Sequence, residues 1–286
     1  MVFLERFVSE TLGLTKFPPY LSTFYFSFLG FLFVHQVVAP VLSSRWFPNA
    51  YKGKSKVAQN NWLIHVVSQV HVLIIVPGSL YVIFTEPAGR ADDKIWGWDN
   101  RAGYVHAIAS GYFLWDSLDA IFNFIDAGFV VHGLSCLAIY TMSFKPFVAY
   151  YGTRCLLWEA STFFLNNHWL MDKTGRTGTR LQLVNGFFLL LTFFSVRMVY
   201  GGYISIQFLI ILKSVWREIP LFYTLLYGGG NFILQGLNWF WFYKMIQALR
   251  KRFRGGPAVK LPGEDEIPTH MPNGPPSPPT NDDATS

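Results

Sequence analysis

The chain has only two cysteines in 286 residues, Cys136 and Cys155, and both fall in apolar stretches. That scarcity excludes a disulfide framework and a cysteine-rich zinc site, so both thiols are expected to be packing residues. Histidine occurs seven times, yet never in the HxxxH or HxxHH clusters with which histidine-box membrane enzymes surround a di-iron pair. His65 and His71 are six apart and therefore point to largely different faces of a helix. A desaturase or hydroxylase is thereby disfavoured. Residues 1–19 carry Glu5, Arg6, Glu10 and Lys16 and lack a positive start, a short apolar centre and a small-residue cleavage site. A removable signal peptide is therefore not expected. Also missing is a paired internal repeat of the kind that transporter folds often show.

What the chain has instead is apolar sequence in long runs. Hydrophobic residues make up 51 % and aromatic residues 18 %. Stretches approaching the roughly 20 apolar residues needed to cross a membrane alternate with short polar loops. Helices are expected near 20–42, 62–84, 103–123, 128–144, 147–170, 181–211 and 219–243, an all-α polytopic membrane bundle of about seven transmembrane helices. The fourth is short, the sixth exceeds one span and invites a break at Gly201–Gly202, and the seventh carries a Gly228–Gly230 run, so six or eight spans stay open.

Basic residues mark one side of this bundle: Arg45, Lys52, Lys54 and Lys56 after the first span, Lys173, Arg176 and Arg180 after the fifth, and Lys244 to Arg254 after the last. Cytosolic loops carry the excess of Lys and Arg, which predicts a luminal N-terminus and a cytosolic C-terminus. The positive excess suits anionic lipid headgroups better than nucleic acid. From about Gly255 the composition is too poor in large apolar residues to fold, and a disordered cytosolic tail is expected.

Six histidines, with Asp116, Asp119, Arg154, Glu159 and Arg197, lie in or at the ends of the apolar stretches. A charge at the centre of a membrane helix costs roughly 2.5–3.5 kcal/mol of insertion free energy, so such groups turn toward the bundle interior or a water-filled cavity. Tyr112, Asp116, Asp119 and Asn123 recur at spacings of four, three and four, which places them on one helical face. They are expected either to bond to neighbouring helices or to line a cavity. The Asp116/Asp119 pair lacks the further carboxylates of a metal-diphosphate site, so no metal is expected.

The fifth span holds two polar rows, Arg154–Trp158–Ser161–Leu165–His168 and Glu159–Thr162–Asn166. Arg154 and Glu159 point about 140° apart on a regular helix, so each is expected to find its partner elsewhere: Asp116 or Asp119 for Arg154, Arg197 for Glu159. His132 precedes Gly133, which leaves room for another backbone or a ligand chain, and has Ser135 and Cys136 as its i+3 and i+4 neighbours. Its imidazole can serve as base or nucleophile, or it can be a hydrogen-bonded core histidine. His65 with Ser68 and Gln69 is expected to bond between helices, and His35, His71 and His106 to pack them.

Several motifs occur in a recognisable order: Trp62-Leu63-Ile64-His65-Val66-Val67-Ser68, Gly111-Tyr112-Phe113-Leu114-Trp115-Asp116, Phe129-Val130-Val131-His132-Gly133, the stretch Leu157 to Asn166, and Gly178 to Gly186. In this order the chain resembles the TLC-domain family, which includes ceramide synthases and many non-synthase proteins of lipid homeostasis. The resemblance runs from about 55 to 245 and is nearest to the non-synthase branch. It divides the chain into an N-terminal segment with the first helix (1–54), a TLC domain (55–245) and a basic juxtamembrane segment with tail (246–286). It implies a ring of helices around an elongated cavity open to lipid, in the endoplasmic reticulum.

Ceramide synthases carry a His-His pair, one member of which is thought to attack an acyl-CoA thioester. His132 matches the first position and Gly133 stands at the second. Their HDxxSD motif meets Trp158-Glu159-Ala160-Ser161-Thr162, where only Glu159 keeps an acid, and Ser or Thr cannot replace an ionised partner near a nucleophile.

The resemblance therefore implies a lipid-binding or lipid-handling membrane protein, with membrane lipids as partners, no nucleic acid and no cofactor. Tyr112, Asp119, Arg154, Trp158, Ser161, Asn166, Asn185 and Arg197 are expected to line its cavity. The alternative is an acyl-CoA-dependent N-acyltransferase using His132, Asp116 and Glu159, which histidine at position 133 or 158 would strengthen. A receptor or transporter comes third.

Overall fold

The computed structural model describes residues 6–86 and 93–253. Seven helical rods run through the described residues: α1 (Pro18–Trp46), α2 (Lys56–Phe84), α3 (Asn100–Phe122), α4 (Ala127–Met142), α5 (149–173), α6 (Arg180–Val215) and α7 (Leu221–Phe253). The protein is an all-α membrane bundle. α1, α2 and α6 are long and apolar enough to cross a bilayer by length and composition, and α4 is a shorter apolar helix. In α3 and α5 the polar stripes lower the hydropathy of helices that are otherwise long enough.

Four starts are fixed by side-chain caps, each satisfying one of the backbone donors that a helix leaves free at its first turn. Ser55 accepts from the Ala58 N–H at 3.2 Å, Asp99 from Arg101 at 2.8 Å, Asp126 from Gly128 at 2.6 Å and Thr179 from Gln182 at 3.3 Å. The expected break at Gly201–Gly202 is absent. α6 runs through it, changing instead to an eight-residue π-helical stretch at Phe193–Tyr200 before returning to α-helix at Gly201. A break there would strand backbone N–H and C=O groups in lipid, whereas a π stretch keeps them bonded. The Gly228–Gly230 run likewise leaves α7 continuous. The tail expected from about 255 lies outside the described residues.

Two aromatic-rich clusters hold most of the rods together. Phe31, Val67, Ile75, Phe113, Trp115 and Tyr140 join α1 to α4. Phe147, Tyr151, Ile204, Phe208 and Tyr227 join α5, α6 and α7 and the α4–α5 connection. α1 lies close against α3 because position 111 is glycine: a Cβ there would sit 2.6 Å from the Phe24 carbonyl oxygen. Beside it Ser27 donates to the Ile108 carbonyl at 2.7 Å.

Two histidines lie wholly within this packing. His71 stacks on Tyr112 with ring centroids 3.6 Å apart. His106 contacts Ser143 Oγ at 2.9 Å and Thr153 Oγ1 at 3.1 Å. The outer face of α6 exposes Leu181, Val184, Phe187, Leu191 and Phe194, an apolar surface suited to lipid.

Candidate functional site: a divided cavity inside the helix ring

Helices α2 to α7 enclose a cavity of about 1210 Å³, including its open mouth, while α1 contributes nothing to its wall. Three polar rows face into it: Asn61, His65 and Ser68 from α2, Tyr112, Asp116, Asp119 and Asn123 from α3, and Glu159, Thr162 and Asn166 from α5. The rest of the wall comes from Phe129 and His132 on α4, Phe193 and Arg197 on α6, and Trp241 and Met245 on α7. The cavity extends to Ile125 in the α3–α4 connection. By topology that end of the bundle also carries the α1–α2 and α5–α6 connections, with Lys52, Lys54 and Arg176.

A second cavity of about 790 Å³ lies farther along the bundle and is mostly apolar, with Ile139, Leu156, Phe208 and Leu234 on its wall. His132, Glu159 and Arg197 line both cavities. They form the partition between the chamber that carries the acidic and amide rows (the polar chamber) and a less polar one (the apolar chamber), although by area both walls are mostly apolar.

The partition is built where two helices depart from regular geometry. In α5 a 3₁₀ turn, Leu156–Glu159, separates two α-helical parts, and it faces the π-helical stretch of α6 that carries Arg197. The guanidinium is fully engaged. Nε donates to the Trp158 carbonyl at 3.1 Å and to Ser161 Oγ at 2.9 Å, Nη1 to Asn238 Oδ1 at 3.0 Å, and Nη2 to Thr162 Oγ1 at 3.0 Å while lying 3.7 Å from Glu159 Oε1. One side chain thus ties α5, α6 and α7 together, and the expected Arg197–Glu159 pair is present.

Next to it, His132 Nε2 lies 3.9 Å from Cys136 Sγ, and His132 Nδ1 has no hydrogen-bond partner among the described residues. The ring is held edge-on by Trp241, with centroids 5.4 Å apart.

The acidic row has two characters. Asp119 accepts from Asn60 Nδ2 at 3.3 and 3.2 Å and from Asn123 Nδ2 at 2.9 Å, with His35 Nε2 at 4.0 Å. His35 also contacts Asn60 Oδ1 at 3.0 Å, so it braces the cavity wall from behind. Asp116 borders Gly133: a Cβ at that glycine would stand 3.0 Å from Asp116 Oδ2 and from Ser117 Oγ. The room at Gly133 is therefore taken up by α3, and any side chain there requires Asp116 and Ser117 to give way.

Several expected positions lie elsewhere. Arg154 lines neither cavity and pairs with neither Asp116 nor Asp119. Its Nη2 meets Glu86 Oε2 at 2.6 Å beyond the end of α2, and the guanidinium stacks 3.3 Å over the Tyr150 ring. Ser161 is buried behind the wall as an acceptor for Arg197. Asn185 is spent on the Phe164 carbonyl at 2.8 Å, joining α5 to α6. Trp158 lines the apolar chamber only. His65, expected to join helices, does so by stacking on Trp169 of α5 at 3.9 Å, and it also borders the polar chamber.

The sequence reading also missed the α7 wall. Its signal was present: Asn231, Gln235, Asn238, Trp241 and Met245 follow spacings of four, three, three and four, the pattern of one helical face.

A TLC-domain family profile matches residues 61–247. The chain belongs to the TLC-domain family. It is 35 % identical over 259 residues to an uncharacterised TLC domain-containing protein of Schizosaccharomyces pombe, covering 89 % of this chain and 88 % of that one. TLC domain-containing protein 4-B of Danio rerio is 30 % identical over 235 residues, covering 80 % and 88 %. Topoisomerase I damage affected protein 4 of Saccharomyces cerevisiae is 26 % identical over 247 residues, covering 82 % and 86 %. These relatives place the chain with the non-synthase branch of the TLC-domain family.

Proposed function

We propose that this TLC-domain protein holds one membrane lipid inside its helix ring and thereby takes part in lipid homeostasis. The observation that carries this reading is the divided cavity. A polar chamber lined by Asp116, Asp119, Asn123 and Asn166 suits a headgroup, and an apolar chamber lined by Ile139, Leu156, Phe208 and Leu234 suits a chain, the two meeting at His132, Glu159 and Arg197. Pockets with a few polar groups set in apolar walls are typical of small-molecule sites, and a chain entering from the bilayer is held by packing contacts, since it leaves no water behind. The family's association with membranes and lipids supports the same reading, and with it we propose an endoplasmic-reticulum location with the basic end facing the cytosol.

The test is lipid mass spectrometry on protein purified in mild detergent. Wild type and His132→Ala are expected to carry the same long-chain lipid. Ala120→Trp, which fills the polar chamber from α3, is expected to lose it while still eluting as a folded species. Lipid retained in full by the filled variant would refute the assignment.

A further inference from the structure

The polar chamber carries hydrogen-bonding groups that the protein leaves unused, and they are of both kinds. Asp119 is already satisfied by Asn60 and Asn123, and Glu159 lies 3.7 Å from Arg197. Asp116 lines the chamber, yet its carboxylate has no hydrogen-bond partner among the described residues. It is an unspent acceptor. The same wall holds unspent donors. Thr162 Oγ1 accepts from Arg197 Nη2 at 3.0 Å, and its own O–H proton has no acceptor among the described residues. The Tyr112 hydroxyl is bonded to Ser68, whose Oγ in turn accepts from Asn166 at 3.1 Å. Each hydroxyl has one proton to give, so a bond between two hydroxyls leaves one O–H over.

That mixture discriminates among lipid heads. An ammonium only donates, whereas an alcohol hydroxyl both donates and accepts. An ammonium on Asp116 leaves the spare protons of Thr162 and of the Tyr112–Ser68 pair without an acceptor. A phosphate offers acceptors for those protons but meets three carboxylates, and like charges sharing a site shielded from water repel strongly. Arg197, the one arginine or lysine on that wall among the described residues, does not offset the repulsion, because its guanidinium is committed to Trp158, Ser161, Thr162 and Asn238. Two neighbouring hydroxyls on one uncharged head use both kinds of group at once, one donating to Asp116 and the other accepting from Thr162 or from the Tyr112–Ser68 pair. Phe129, Phe193 and Trp241 supply apolar surface for the carbons between them.

We propose that the polar chamber selects an uncharged polyol head, the glycerol of a monoacylglycerol or a sugar on a lipid, with Asp116 as its acceptor. This rests on the lipid-binding reading of the cavity and narrows it, since phospholipids and lipid amines are then poor occupants. The chain of the bound lipid passes the partition at His132 into the apolar chamber.

The test is native mass spectrometry of the full chain in a polyoxyethylene detergent, whose head is neither sugar nor glycerol. The chain is offered an equimolar panel sharing one oleyl or oleoyl chain: monooleoylglycerol, oleyl glucoside, oleylamine and oleoyl lysophosphatidic acid. Occupancy by the glycerol or the glucoside lipid is expected to exceed that by the amine and the phosphate at least about 10-fold, the scale of one hydrogen bond to a charged group. Whichever of the two polyol lipids binds identifies the source of the head. Asp116→Asn and Tyr112→Phe, both nearly isosteric, are expected to elute as folded species and to weaken polyol binding, Asp116→Asn by about 10-fold. Equal occupancy by all four lipids, a preference for the amine or the phosphate, or undiminished polyol binding in both variants overturns the inference and leaves the lipid-binding reading standing. A wild type that takes up none of the four and carries no co-purified lipid would overturn both.

Discussion

Replacing Arg197 by methionine removes a side chain that joins α5, α6 and α7 at the partition. The guanidinium is 5 % exposed and Glu159 is 9 % exposed, so solvent does little to screen the loss. The substitution leaves Glu159 as an uncompensated buried charge and withdraws a donor from Trp158 C=O, Ser161 Oγ, Thr162 Oγ1 and Asn238 Oδ1. Removing one partner of a buried ion pair costs about 3–5 kcal/mol. At roughly 2–4 °C per kcal/mol for a chain of this size, the apparent Tm should fall by about 6–12 °C at the lower bound of that cost. The assay is the loss of the monodisperse size-exclusion peak after heating in detergent.

The Glu159→Gln/Arg197→Met double variant should be less damaged than the sum of the two singles. It no longer buries a lone charge, and the shortfall should be at least about 1 kcal/mol, the usual coupling of residues in direct contact. A Tm drop under about 2 °C for Arg197→Met, or strict additivity in the double variant, would refute the partition as drawn.

Three other perturbations follow from the same geometry. Gly133→Ala pushes a methyl to 3.0 Å from Asp116 Oδ2 and Ser117 Oγ and should cost about 1–3 kcal/mol by overpacking, read as a lower Tm; an unchanged Tm would show that α3 and α4 separate freely. Arg154→Met removes the pair with Glu86 at the far end of the bundle and should lower Tm while leaving co-purified lipid unchanged, because Arg154 lines neither chamber; parallel loss of lipid would place it on the site after all. His106→Leu strands the Thr153 hydroxyl, which should cost about 1–3 kcal/mol, and hydrogen exchange should rise at the α3–α5 contact first; equal protection there would contradict the assigned bonds.

The rods were legible because crossing lipid imposes a length and an apolar composition that single helices must satisfy alone. The α3 row Tyr112–Asp116–Asp119–Asn123 was legible for a similar reason: a regular helix converts spacing directly into a face. Of the two α5 rows, Glu159–Thr162–Asn166 faces the chamber as spaced, but the row through Arg154, Trp158 and Ser161 does not, because the 3₁₀ turn at Leu156–Glu159 rotates the helix by about 120° per residue instead of about 100°. That change of register turns Ser161 away from the chamber to which regular spacing assigned it.

Arg154 was misassigned for a different reason. Its partner Glu86 sits just past the end of α2; alternation of the spans puts that end of α2 and the start of α5 at the same end of the bundle but does not say that they are neighbours. Glu159 and Arg197 were paired correctly: the structure brings them to 3.7 Å.

The central claim is that the divided cavity holds a single lipid. Native mass spectrometry of the intact chain, released from mild detergent, tests it most directly by counting bound molecules. Wild type and Arg154→Met are expected to show one long-chain lipid per chain, and Ala120→Trp the chain alone. A lipid-free wild type, or the same lipid count in all three, would contradict the account.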